Sequence, residues 1–268
     1  MLTEERISGY REISGRIEAL FDLGDGEEGE KLLGEAIRES AQDAPYHLFF
    51  RSEAAGYLAR NHEQQKELLE EAVRLRPDDH FLARNMGVCL LLLDREREAI
   101  DWFQRALVED PADHAALRYI GLALSNQGRE REALQWYQRA LAANPADYDA
   151  MRQIGISFAK LKEDEEAISW YQRALAVNGK DYDSMRQLGV SLASLGNCGE
   201  AIVWLNRALS VNGRDEDARR NLKIITELHA EERGELGRAR KLLRTLNRLL
   251  ERFGGWLESF VTSRKRGL

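Results

Sequence analysis

Trp136-Tyr137-Gln138-Arg139-Ala140-Leu141 returns one interval later as Trp170-Tyr171-Gln172-Arg173-Ala174-Leu175. It stands one interval earlier as Trp102-Phe103-Gln104-Arg105-Ala106-Leu107, and a looser copy, Trp204-Leu205-Asn206-Arg207-Ala208-Leu209, follows at the same spacing. Outward from this text, each copy carries an Ala seven residues before its central Ala and a Gly twelve residues before that. The sets are Gly87/Ala99/Ala106, Gly121/Ala133/Ala140, Gly155/Ala167/Ala174 and Gly189/Ala201/Ala208. A fixed period of this size describes a unit too small to bury its own apolar face, which must therefore stack on its neighbours.

Each unit holds two helical periods. Met151, Ile154, Gly155 and Phe158 recur at steps of three and four and predict one helix, Leu161 to Glu163 break it, and Ala167, Tyr171, Ala174 and Leu175 predict a second. Gly and Ala are expected where the two backbones press closest, with the aromatics filling the space beside them. Pro111 and Pro145 end the second helix of their units, and Asn178-Gly179 and Asn212-Gly213 hold the same place in the next two.

These residues resemble the tetratricopeptide repeat, a helix–turn–helix unit of the same length. The resemblance implies an all-α, right-handed α–α superhelix, a solenoid of such units. Counted from seven residues before each Gly, the units are 80–113, 114–147, 148–181 and 182–215. Extended backwards, the frame gives a degenerate unit at 46–79, with Ala72 and Pro77 in place but Glu53 and Gln65 where Gly and Ala are expected. Extended forwards from Glu216, only a first helix survives. The expected organisation is a degenerate N-terminal hairpin over 1–45, five units over 46–215, and a capping helix with a basic amphipathic C-terminal helix over 216–268.

The ends differ from the array. Ile7, Tyr10, Ile13, Ile17, Leu20 and Phe21 share a helical face, Gly24-Asp25-Gly26 breaks it, and Lys31 to Glu39 reads as a second helix, set off from the array by Ala44-Pro45. Over 233–268 there are ten Arg and Lys against three Glu, in a chain whose net charge is −7. There Leu236, Ala239, Leu243, Leu246, Leu250, Phe253, Leu257 and Phe260 form a heptad-like seam, interrupted by Gly254-Gly255. Three readings stay open for this segment: a cap on the last repeat, self-association or partner binding through 236–260, and, as a minor alternative, contact with an anionic membrane or nucleic acid.

Two cysteines in different frame positions argue against a disulfide framework. Cys89, among Val88, Leu90 and Leu91, is expected in the core, and Cys198 exposed in an interhelical turn. Met1-Leu2-Thr3-Glu4-Glu5-Arg6 lacks the basic lead and apolar run of a secretory signal, and no stretch approaches the ~18–20 apolar residues of a membrane span. A cytoplasmic protein is expected.

Chemistry-bearing motifs are missing from the sequence: no His-Glu-x-x-His, no paired Cys, no Gly-rich phosphate loop, no Gly-x-Ser-x-Gly. His80 and His114 occupy the first frame position, where later units have Tyr148 and Tyr182. The expectation is a non-catalytic protein without cofactor or metal. The resemblance implies instead a concave groove, lined by the first helices, that holds a peptide or partner protein. Its residues would be Arg84, Asn85 and Val88; Arg118, Tyr119 and Leu122; Arg152, Gln153 and Ile156; Arg186, Gln187 and Val190; and Arg220 and Asn221. A ladder of Arg with amides and aliphatic pads suits a peptide with acidic and apolar side chains. The other reading is structural: Asp149, Asp183 and Asp217 stand three residues before Arg152, Arg186 and Arg220 and can neutralise them locally. The family's carboxylate clamp wants Asn where Val88 and its counterparts stand, and is not matched.

Overall fold

The computed structural model describes residues 4–22, 25–231 and 233–234. The helices are α1 Glu4–Asp22, α2 Gly26–Glu39, α3 Ala44–Tyr57, α4 His62–Leu75, α5 His80–Leu92, α6 Glu96–Glu109, α7 His114–Asn126, α8 Glu130–Ala143, α9 Tyr148–Lys160, α10 Asp164–Val177, α11 Tyr182–Ser194 and α12 Cys198–Val211. A further helix occupies 216–231, and no strand occurs among the described residues. The expected seam over 236–260 lies outside them.

The chain forms two compact units, divided between Asn178 and Gly179. In the first, α1 to α10 pack in chain order, each on its successor, with first helices also touching across α5–α7 and α7–α9. In the second, α11 pairs with α12, and Ala218 and Ile225 of the following helix are buried.

The close helix contacts fall where the small residues stand. A Cβ added to Gly87, Gly121 or Gly155 would lie 2.5 Å from the ring of Phe103, Tyr137 or Tyr171. In the second unit Leu205 takes the aromatic's place, 2.9 Å from such an atom on Gly189. Between α3 and α4 the contact is displaced. There Gly56, not residue 53, is the close approach, and its neighbour is Gln65 at 2.7 Å. Each turn between first and second helix is closed by a residue with positive φ at one frame position: Arg60, Asp94, Gly128, Lys162 and Gly196.

Three expectations are corrected. Ala44 and Pro45 do not separate the N-terminal hairpin from the array; they form the first turn of α3, where a missing N–H is harmless. The second helix of the hairpin starts five residues earlier than Lys31, at Gly26. Cys198 is buried, as the first residue of α12, because that frame position turns inward, as it does for Glu130 at the start of α8. Cys89 lies in the core as expected, its Sγ 3.3 Å from the His62 carbonyl, and burial pushes its thiol up to about 12.

Gly155→Ala is expected to destabilise the protein by about 1–3 kcal/mol, since the Tyr171 ring has no space to yield. Tyr171→Phe should be close to neutral, because the buried Tyr171 hydroxyl has no hydrogen-bond partner among the described residues. Urea denaturation of the two variants beside wild type measures the contrast.

Candidate functional site

In the first unit α1, α3, α4, α5, α7 and α9 surround a cavity of about 770 Å³. Arg11, Ser14 and Glu18 line it from α1, Phe49 and Glu53 from α3, and Tyr148 and Asp149 from α9. Of the expected groove residues, Arg84, Asn85 and Val88 on α5 and Arg118 and Tyr119 on α7 come together there. Leu122, Arg152, Gln153 and Ile156 sit partly buried on α7 and α9, outside its lining. The second unit holds Arg186, Gln187 and Val190 on α11, and Arg220 and Asn221 on the helix over 216–231.

Every guanidinium of the ladder has a carboxylate beside it. Arg84 Nη1 donates to both oxygens of Asp113, at 3.0 and 2.9 Å. Arg118 lies 3.5 Å from Asp147, Arg152 is 2.5 Å from Asp149, and Arg186 is 2.5 Å from Asp183 and 3.2 Å from Asp217. Arg220, on an exposed face, is 3.7 Å from Asp217. The local pairs are thus present, and in the earlier units the partner is the aspartate that opens the next first helix.

Sequence reasoning misses that aspartate, although Asp79, Asp113, Asp147, Asp181 and Asp215 recur at the repeat's own interval. Asp113 accepts from the Ala116 N–H at 3.0 Å as the N-cap of α7, and His80 Nδ1 lies 3.4 Å from its other oxygen. Asp147 accepts from Ala150 at 2.9 Å and has His114 Nδ1 at 2.7 Å. Asp79 caps α5, accepts from Tyr46 Oη at 2.8 Å and pairs with Arg11 of α1 at 3.1 Å. Burial alone would raise the Asp113 carboxyl. The hydrogen bond with His80, the charge of Arg84, the Ala116 N–H and the Arg84 hydrogen bonds outweigh it and hold Asp113 well below the usual carboxylate range.

His80, Asp110 and Asp113 bring three ligand-type atoms within 4.8 Å of one another. Both Asp113 oxygens are taken by Arg84, however, so a guanidinium already stands where a metal cation would need to approach.

Glu53 is the other residue whose role the sequence does not reveal. It stands where other units have Gly, 6% exposed, with Oε1 accepting from Ser14 Oγ at 2.9 Å and Oε2 buried without a partner among the described residues. Burial pushes its carboxyl up to about 8, against the Ser14 hydrogen bond and with the Glu18 charge adding to the rise. The folded chain therefore takes up a proton between about pH 4.5 and 8, and Glu53 costs stability as pH rises through that window.

Asp113→Ala should cost about 2–4 kcal/mol, since it removes a cap and leaves Arg84 and His80 facing an apolar methyl. Asp113→Asn keeps an acceptor and should lose less. Because the Asp113 carboxyl is depressed in the fold, its contribution is present above the unfolded pKa of about 3.9 and lost below it. The gap between wild type and Asp113→Asn in urea denaturation should therefore shrink from pH 7 to pH 3.

Residues 59–114, 103–148 and 119–182 each match the family model described as tetratricopeptide repeat. No curated protein matches the sequence. Among solved structures, the thermophilic TPR protein TTC0263 of Thermus thermophilus is similar with a TM-score of 0.60 at 20% identity, over 68% of this chain and 99% of that one. The APC/C hetero-tetramer Cut9–Hcn1 gives 0.62 at 17% identity, over 81% of this chain and 46% of that one. MamA of Desulfovibrio magneticus RS-1, from residue 41 to its end, gives 0.52 at 20% identity, over 65% and 98%. At these identities the likeness is one of fold. Proteins of such repeats generally mediate protein–protein interaction and are generally non-catalytic. With the family model matched along successive stretches and paired helices recurring at a constant interval, residues 59–182 of this chain are tetratricopeptide repeats.

Proposed function

We propose that this chain is a non-catalytic adaptor that holds a segment of a partner protein in the groove of its first unit. The observation that carries the reading is the cavity, in which polar and apolar side chains from six helices converge on a space of peptide-binding size. Val88, Leu92 and Tyr119 offer apolar contact. The Asn85 amide donates to the Phe81 carbonyl at 2.8 Å, which fixes its orientation and leaves its oxygen to accept from a peptide N–H. The Arg ladder contributes as paired forks: an acidic side chain would share a guanidinium with its resident aspartate, and apolar contacts would carry most of the affinity. Two free, buried cysteines suit a reducing compartment such as the cytoplasm. No helix among the described residues is long and apolar enough to cross a membrane.

A photo-cross-linking amino acid at Leu92, which is exposed on the cavity rim, should form adducts with a partner segment. The same group at Arg139, exposed on α8 and stacked on Trp136 away from the cavity, should form few. Adducts formed equally from both positions, or from Arg139 alone, would overturn the groove reading. The double variant Asn85→Ala/Leu92→Lys should weaken capture about tenfold or more while leaving the far-UV spectrum unchanged.

A further inference from the structure

Glu53 breaks the repeat in both identity and environment. Four later units place Gly at this frame position, yet here a carboxyl is carried into a site nine-tenths shielded from water. Burying such a group without full satisfaction is costly, and sequences keep such features where they serve a ligand. The Ser14 hydroxyl satisfies one oxygen and nothing among the described residues satisfies the other. The charge that bears on the group is that of Glu18, which lines the same cavity from α1. Three of the cavity's cations are engaged elsewhere: Arg11 with Asp79, Arg84 with Asp113, Arg118 with Asp147. A fourth, Arg60, stands exposed in the turn between α3 and α4. The wall formed by α1 and α3 therefore presents, at Glu53, a carboxyl group that lacks a positive partner among the described residues, and what exposure Glu53 retains belongs to a residue of the cavity lining.

From this juxtaposition we infer that the α1–α3 wall of the cavity is a specificity site for a basic side chain, Lys or Arg, of the bound peptide, with Glu53 as its counter-ion and Glu18 beside it. The inference rests on the groove reading and sharpens it, since it selects a segment that is apolar and basic at one position. At neutral pH the empty site holds Glu53 largely protonated, because burial holds its carboxyl up at about 8. An arriving ammonium or guanidinium favours the ionised form, so binding releases the proton and replaces a neutral acid by a charge-assisted pair.

The test uses the full chain and a degenerate library of N-acetylated dodecapeptides, followed by the best binder with its basic residue intact or, for Lys, Nε-acetylated. Selection of Lys or Arg at one position, about tenfold or greater weakening on acetylation, and a similar loss in Glu53→Gln are expected. Glutamine keeps the volume and the Ser14 hydrogen bond, and Glu53→Gln should bind the acetylated peptide as wild type does. A readout without any variant is the Glu53 carboxyl ¹³C resonance, which should move from its protonated to its ionised position on binding at pH 7. Peptides that move the resonances of Asn85 and Tyr119 but are indifferent to acetylation and to Glu53→Gln would overturn this inference and leave the groove reading standing. A library in which no peptide moves those resonances would overturn both.

Discussion

Burying a carboxylate beside a stack of helices is costly unless its charge and lone pairs are met, and within the first compact unit that requirement ties successive helix pairs together. Asp113 and Asp147 satisfy the first N–H groups of α7 and α9. The remaining acceptor capacity is met by the preceding unit, through Arg84 and His80 for Asp113 and through Arg118 and His114 for Asp147. A helix start is thereby coupled to stacking: stacking shields the capping aspartate from water, and the same neighbour supplies the partners that the shielded carboxylate needs. Asp79 extends the device to the N-terminal hairpin, whose Arg11 reaches it from α1.

This coupling redirects the Arg ladder. A guanidinium engaged with a buried aspartate stabilises the fold and is a poor receptor for a second carboxylate, because displacing it would expose the first. Residues that recur in every unit are therefore largely committed to architecture. Selectivity falls to residues that do not recur, and in the first unit these cluster on one wall. The displaced close contact at Gly56 leaves frame position eight of that unit without an aromatic ring pressed on it, which is why a residue as large as Glu53 fits there.

The repeat, its register and its paired helices are legible in the sequence because they follow from contacts within one period. Gly and Ala mark close approach, aromatics fill beside them, and Pro or Asn-Gly ends the second helix, all inside a single unit of text. The Asp–Arg joint is equally periodic but reads only as far as the local pair, since Arg84 and Asp113 belong to the two ends of a unit and meet through stacking. The left-handed residues at Arg60, Asp94 and Lys162 stay hidden because the turn imposes a conformation that their identities do not advertise. Cys198 misleads for a related reason: it reads as part of an interhelical turn, which suggests exposure, whereas it opens α12 and is buried.

The candidate site is less legible than the fold, for a physical reason that also locates it. The family resemblance marks Arg84, Asn85, Val88, Arg118 and Tyr119 as groove residues, and these do meet around one cavity. It cannot reveal that α1, whose residues keep no repeat frame, supplies the opposing wall through Arg11, Ser14 and Glu18. Nor does it say that Glu53, a departure from the consensus, gains a partner from that wall on one oxygen and, among the described residues, none on the other. A solenoid of identical units would present the same surface at every step and distinguish poorly between registers of a bound segment. In the proposed reading, a degenerate first repeat with a closing helix would give the groove a fixed end, and a buried carboxyl at that end would offer a chemical reason for a peptide to stop there.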